Sequence, residues 1–137
     1  MGFVYENINL KNAGDVMNAQ RGIINETDIR QLKVLAMVDT GAITLIINEA
    51  IRQELGLAVR GEQRIRLANE SAQTCQYTDP VEIHWKNRHV VTQALVLAGV
   101  EEVLLGAIPL EGLDVIVDPA NRELVGAHGD EIIYKIT

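Results

Sequence analysis

Asp39, Thr40 and Gly41 stand together directly after the apolar run Leu32-Lys33-Val34-Leu35-Ala36-Met37-Val38 and just before Ala42. An aspartate delivered by an apolar strand into a turn of small residues is costly as mere structure, because a buried carboxylate must be paired or hydrogen-bonded. The same residue types suit hydrolysis by an activated water. Two carboxylates sharing one proton can grip a water, one taking its proton while the other donates to a carbonyl oxygen. Like charges that close cannot both ionise, so such a pair titrates jointly. A glycine after the aspartate allows close backbone approach and offers an N–H to the carboxylate. A threonine hydroxyl can tie one loop to its neighbour. The competing reading of Asp39 is a turn or cap carboxylate at a strand end.

Only one such aspartate is present. The sequence holds no second Asp-Thr-Gly and no Asp-Ser-Gly. Asp118 also follows an apolar strand, Val115-Ile116-Val117, but Pro119 comes next. A two-aspartate site therefore requires a second copy of the chain, with Asp39 facing Asp39′ across a two-fold axis.

The elements that must position this site read mostly as short strands separated by polar turns. Phe3-Val4-Tyr5 and Ile8-Asn9-Leu10 suggest a first strand, and Lys11 to Gly22 reads as a loop. The run Leu32 to Val38 predicts a strand buried on both faces. Asn48 as N-cap, Glu49 in the first turn, Ile51 and Leu55 on one face and Gly56 as the stop predict a helix of about two to three turns. Ile65 and Leu67 alternate with Arg64 and Arg66 up to a hairpin tip at Asn69-Glu70-Ser71. Val81, Ile83 and Trp85 alternate with Glu82 and His84, turn at Lys86-Asn87-Arg88, and return through Val90 to Leu97. A second helical turn is expected near Leu104 to Leu110. Strands at Leu113 to Val117 and Ile132 to Ile136 complete the set. The last of these forms either an edge of the subunit's own sheet or a pairing with another chain, since an uncovered apolar edge invites aggregation. No repeat, low-complexity tract or linker divides residues 1–137, so a single domain is expected.

A second segment joins the first. Leu104-Leu105-Gly106 is followed by Ala107-Ile108-Pro109-Leu110 and leads on to Leu113. With Val38-Asp39-Thr40-Gly41-Ala42, the helix end Glu54-Leu55-Gly56-Leu57, and Arg66-Leu67-Ala68-Asn69 at the place of a flap strand, the chain resembles the retroviral-type (retropepsin-like) aspartic proteases, specifically their small prokaryotic relatives. The similarity runs over roughly Val34 to Val125. It implies an all-β, closed barrel-like fold with one or two short helices, in which Leu104, Leu105 and Gly106 support the loop Asp39-Thr40-Gly41-Ala42. It further implies a homodimeric aspartic endopeptidase with one catalytic Asp39 per subunit. A flap at about Arg66 to Tyr77 would cover a peptide or protein substrate through Ala68, Asn69, Glu70, Ser71 and Ala72. Two departures stand out. No glycine lies between Gly61 and Gly99, whereas retroviral flaps are glycine-rich at the tip, and Ala107 rather than an arginine-bearing segment follows Leu-Leu-Gly. A catalytically inactive dimer that binds a peptide or partner in the same groove is the alternative from another class.

Composition narrows the field. The 137 residues are 47% hydrophobic and 23% charged, which supports a real core. Against 12 Lys and Arg stand 19 Asp and Glu, a net charge of −7 that repels phosphate backbones and anionic head groups. No nucleic-acid partner is therefore expected. Arg60, Arg64 and Arg66, interrupted by Glu62 and without interleaved aromatics, read as a solvated strand face. No secretory leader, myristoylation pattern or membrane-length apolar run is visible, and the single cysteine, Cys75, makes no internal disulfide. A cytoplasmic location is the expectation. Cys75 and Trp85 read as packing residues. His84, His89 and His128 read as solvated at irregular spacing, so no metal and no organic cofactor is expected.

Overall fold

The computed structural model describes residues 3–137. Among these residues nine strands and three short α-helices follow in order, with a single 3-10 turn at Glu26–Asp28: β1 Val4–Asn12, α1 Ala13–Gln20, β2 Gln31–Val38, β3 Leu45–Ile47, α2 Glu49–Glu54, β4 Val59–Arg66, β5 Ala72–Trp85, β6 Arg88–Val96, β7 Val103–Leu105, α3 Ala107–Gly112, β8 Val115–Asp118 and β9 Glu123–Gly126.

The main sheet runs β1-β2-β7-β3-β6-β5-β4, and a further pairing of β1 with β5 closes it. Six strands thus form a barrel, and β4 hangs from the free part of β5 as one arm of a hairpin. Closure removes the edges that an open sheet would expose. The barrel is filled by Ile8, Leu10, Ala36, Leu45, Ile47, Val81, Ile83, Trp85 and Leu105, joined by Leu55, Leu57 and Leu113 from the ends of α2 and α3. Val81, Ile83 and Trp85 point inward on alternate positions, as their pattern predicts.

β5 serves two structures. Its second half belongs to the barrel, pairing with β6 and β1, and its first half pairs with β4 outside it. The register shifts between Tyr77 and Pro80, where the strand leaves the barrel. Proline suits that place because it has no N–H to lose from the ladder. Thr78, fully buried, repairs the break: its hydroxyl donates to Asp79 O at 2.8 Å and accepts from Ala94 N at 3.1 Å.

Four expectations from sequence are corrected. Lys11 to Gly22 is not a loop, since β1 extends to Asn12 and α1 follows. Asn12 caps α1 by accepting from Asp15 N at 3.0 Å, and its amide reaches Leu55 O at 2.9 Å. Arg30 clamps Asp15 with Nε at 2.8 Å and Nη2 at 2.9 Å, so the guanidinium holds that carboxyl below its usual range. The helix is fixed by a residue far along the chain. Secondly, β2 is buried on one face only: Leu35 is 57% exposed on the outer wall. Thirdly, α2 spans only Glu49–Glu54, ending in a Schellman turn with Gly56 N on Gln53 O and Leu57 N on Arg52 O. Gly56 sits at φ 64°, and a Cβ there would strike the Arg30 guanidinium. Finally, Ile132 to Ile136 forms no edge strand of the chain's own sheet. Side chains hold it instead, Asp114 accepting from Ile133 N at 2.9 Å and the Tyr134 hydroxyl donating to Gly112 O.

No helix among the described residues is long and apolar enough to cross a membrane.

Candidate active site

The loop carrying Asp39 bridges β2 and β3 across the end of β7. β7 lies between them, parallel to β2 and antiparallel to β3. Asp39 N donates to Leu105 O at 3.0 Å, extending the β2–β7 ladder by one rung into the loop. Ala42 N donates back to Asp39 O at 3.1 Å and closes a tight turn. Gly41 N donates to Asp39 Oδ1 at 3.0 Å, so the glycine supplies the N–H that its place in the triplet suggests. The carboxylate is half-buried and borders the main cleft.

Leu104-Leu105-Gly106 supports this loop through backbone contact. A Cβ on Gly106 would lie 2.4 Å from Thr44 O and 2.6 Å from Ala42 O. Only a residue without a side chain lets the two segments meet at that separation. α3 begins at once, and its first N–H groups would otherwise be orphans. Ala107 N donates to Ala42 O at 2.8 Å and Ile108 N to Ile43 O at 2.9 Å. The loop caps the helix, and the helix fixes the loop.

The cleft, about 1260 Å³, lies between this loop and the β4–β5 hairpin. Its apolar wall includes Ile46, Ile65, Leu67 and Tyr77, packed on the buried Cys75, Leu95 and Leu97. Of the residues expected at the flap, Ala68 borders the cleft, whereas Asn69, Glu70, Ser71 and Ala72 form the tip and its exit. The tip manages without glycine. Asn69 Oδ1 accepts from Ser71 N at 3.0 Å and Ser71 Oγ at 2.6 Å, and Glu70 takes the left-handed conformation at φ 69°. Gly61, lower on β4, lies under the Tyr77 ring, where a Cβ would meet the hydroxyl at 2.7 Å.

Thr40 is exposed and makes no hydrogen bond among the described residues; it borders a smaller hollow with Leu110, Ile116 and Leu124. The sequence reading missed two features. Glu62, Arg64 and Arg66 border the cleft rather than an indifferent surface; their alternation on the flap strand was the available signal. Arg88 is buried from the β5–β6 turn and donates to Leu113 O at 3.1 Å, Asp114 O at 2.9 Å and Gly129 O at 2.8 Å. It thereby satisfies carbonyls at the end of α3, with its guanidinium 5.8 Å from the Trp85 ring centre. His84 stacks on His89 at 5.0 Å and meets Glu82 at 2.7 Å, and no group of three metal-ligating side chains converges among the described residues.

A closed six-stranded barrel with an aspartate loop braced on a Leu-Leu-Gly segment, facing a hairpin across a cleft, is the layout of an acid-protease subunit. Comparison with known proteins agrees. The family model described as "gag-polyprotein putative aspartyl protease" matches residues 25–112. The chain belongs to that family, the retropepsin-like aspartic proteases. Among solved structures it is similar to a retropepsin-like aspartic protease from Rickettsia conorii, with 20% identity, a TM-score of 0.54, and coverage of 85% of this chain and 77% of that one. That likeness carries the fold. It also matches the EIAV protease complexed with the inhibitor HBY-793, at 27% identity and TM-score 0.48 over 58% of this chain and 75% of that one. No curated protein matches.

Proposed function

We propose that this protein is an aspartic endopeptidase, active as a homodimer in which Asp39 and Asp39′ share a proton and activate the attacking water. The observation that carries the reading is the Asp39 carboxylate, held by Gly41 N–H at 3.0 Å and set at the wall of a cleft of about 1260 Å³. One carboxylate takes the water's proton while the other donates to the scissile carbonyl oxygen. Gly41 fixes the orientation of the carboxylate. Thr40, exposed on the same loop and without a hydrogen bond among the described residues, is in this reading the residue that meets the loop of the second copy. The substrate lies extended, with side chains alternating between the cleft walls, and the β4–β5 hairpin covers it.

The test is digestion of a mixed peptide library by the wild type and by Asp39→Asn, with sedimentation of both proteins at micromolar concentration. The expected result is cleavage by a dimeric wild type and none by a dimeric Asp39→Asn. Cleavage that survives the substitution removes the dyad, and a stable monomer removes the dimer. A dimer that binds peptides but cleaves none at acidic or neutral pH is the inactive binding module instead.

A further inference from the structure

β4 is the last strand of the sheet, paired on one side by β5 and free on the other. An extended peptide in the cleft therefore runs past a strand whose side chains alternate in direction. Ile65 and Leu67 share one face and pack on the cluster around Cys75, Leu95 and Leu97. Glu62, Arg64 and Arg66 share the other, and all three are exposed while bordering the cleft.

The two arginines have no carboxylate partner among the described residues. Arg30, Arg52 and Arg60 pair with Asp15, Glu49 and Asp79, and Arg88 is consumed by carbonyls. Arg66 donates one N–H to Glu70 O at 3.3 Å and keeps the rest of its guanidinium free. Across the hairpin, Arg64 faces Thr74 and Arg66 faces Ala72, neither of them charged. The acidic groups nearby are Glu62, two residues before Arg64 on the same face, and the Glu70 side chain at the tip; Asp39 lies across the cleft. Charge along the strand thus runs from negative at Glu62 to doubly positive toward the tip. Residues two apart on a strand stand roughly 7 Å from each other, so this pattern matches the spacing of alternate side chains on a bound peptide.

Resting on the reading that the cleft holds an extended peptide, we propose that Arg64 and Arg66 select peptides with an acidic side chain at the position facing the tip half of β4. The same register disfavours a basic side chain there and tolerates one beside Glu62. A carboxylate can take two N–H groups from a single guanidinium, which a neutral amide cannot match in strength. The preference is a local contact, because the chain's net charge of −7 repels acidic peptides at long range.

The experiment uses the Asp39→Asn protein, so that binding is read without cleavage. Labelled apolar host peptides carrying Glu, Gln or Lys at each position in turn are titrated by fluorescence anisotropy. At one position the Glu peptide binds about twofold to fivefold more tightly than the Gln peptide at low salt, as expected of exposed ion pairs. That gap closes with Arg64→Gln/Arg66→Gln, reverses toward Lys with Arg64→Glu/Arg66→Glu, and shrinks in about 0.5 M salt. Equal affinities for Glu, Gln and Lys at every position, a gap untouched by the arginine substitutions, or no binding at all overturns the proposal. Absence of cleavage by the wild type bears on the protease reading alone, since the binding gap stands without it. Melting curves for the arginine variants confirm that both remain folded.

Discussion

Two aspartates occupy nearly the same local sequence and have opposite surroundings. Asp39 follows Ala36-Met37-Val38, and Asp118 follows Val115-Ile116-Val117. Asp118 is surrounded by donors: Ala120 N at 3.1 Å, Asn121 N at 3.3 Å and Asn121 Nδ2 at 2.9 Å. These bonds lower its pKa and commit it to the exposed β8–β9 turn. The Asp39 carboxylate accepts a single hydrogen bond among the described residues, from Gly41 N to Oδ1, and no donor among them reaches its second oxygen. A carboxylate that organises a turn spends its lone pairs on the backbone, whereas one kept for a substrate or a water leaves them open. The two already part at the next residue, Thr40 against Pro119, and they part again in what supports their loops. What differs is the second segment, Leu104-Leu105-Gly106, which holds the Asp39 loop so that its side chain need not.

This contrast is tested most strongly by paired substitutions. Asp39→Asn should reduce kcat/KM by about 10³-fold or more, since it removes the group on which the proposed dyad depends. Asp118→Asn should leave kcat/KM within about twofold, measured on the same peptide substrate. Equal losses would erase the distinction between the two aspartates.

Gly106→Ala probes the brace. The added methyl meets the backbone carbonyls of Ala42 and Thr44, which cannot swing aside as a flexible side chain could. A cost of about 1–3 kcal/mol in urea unfolding is expected from such overpacking, together with a fall in kcat as the Asp39 loop is displaced. Stability lost with kcat intact would show that the brace serves the fold and not the site.

The smallest expected effect concerns pH. The folded-state pKa of Asp118 lies below its unfolded value, near 3.9. Its contribution to stability is complete above that value and is lost as pH falls through the folded pKa. Asp15 and Asp114 act in the same direction, through Arg30 and through Ile133 N and His128. The urea midpoint of the wild type should therefore drop below about pH 4, and Asp118→Asn should drop slightly less. An acid limb identical in both proteins would remove the turn carboxylate from this account.

The alternation of Val81, Ile83 and Trp85, the cap-and-stop grammar of α2 and the small residues of the Asp39 loop are local patterns, and they were legible in the sequence. So was Gly106 beside its leucines, once its resemblance to a family was recognised. α1 was not legible, because its polar stretch from Ala13 to Gln20 is stabilised by Arg30, which no periodicity links to Asp15. The segment Ile132 to Ile136 carries a strand's composition, but the bonds that hold it run to Asp114 and Gly112 rather than to a neighbouring strand. Arg88 looked like a turn residue, and only the folded chain shows which carbonyls it reaches. In each case the missing information was a distant partner.

The position of β7 has a consequence for the order in which the chain can become competent. This three-residue strand is wedged between β2 and β3, which end at Val38 and Ile47, long before it begins at Val103. Until it emerges from the ribosome, β2 and β3 present two bare facing edges and the barrel stays open. Asp39 N has no Leu105 O to bind, and the carbonyls of Ala42 and Ile43 have no helix to cap. A nascent or clipped chain that stops short of β7 thus contains the aspartate without the geometry that makes it a candidate for chemistry.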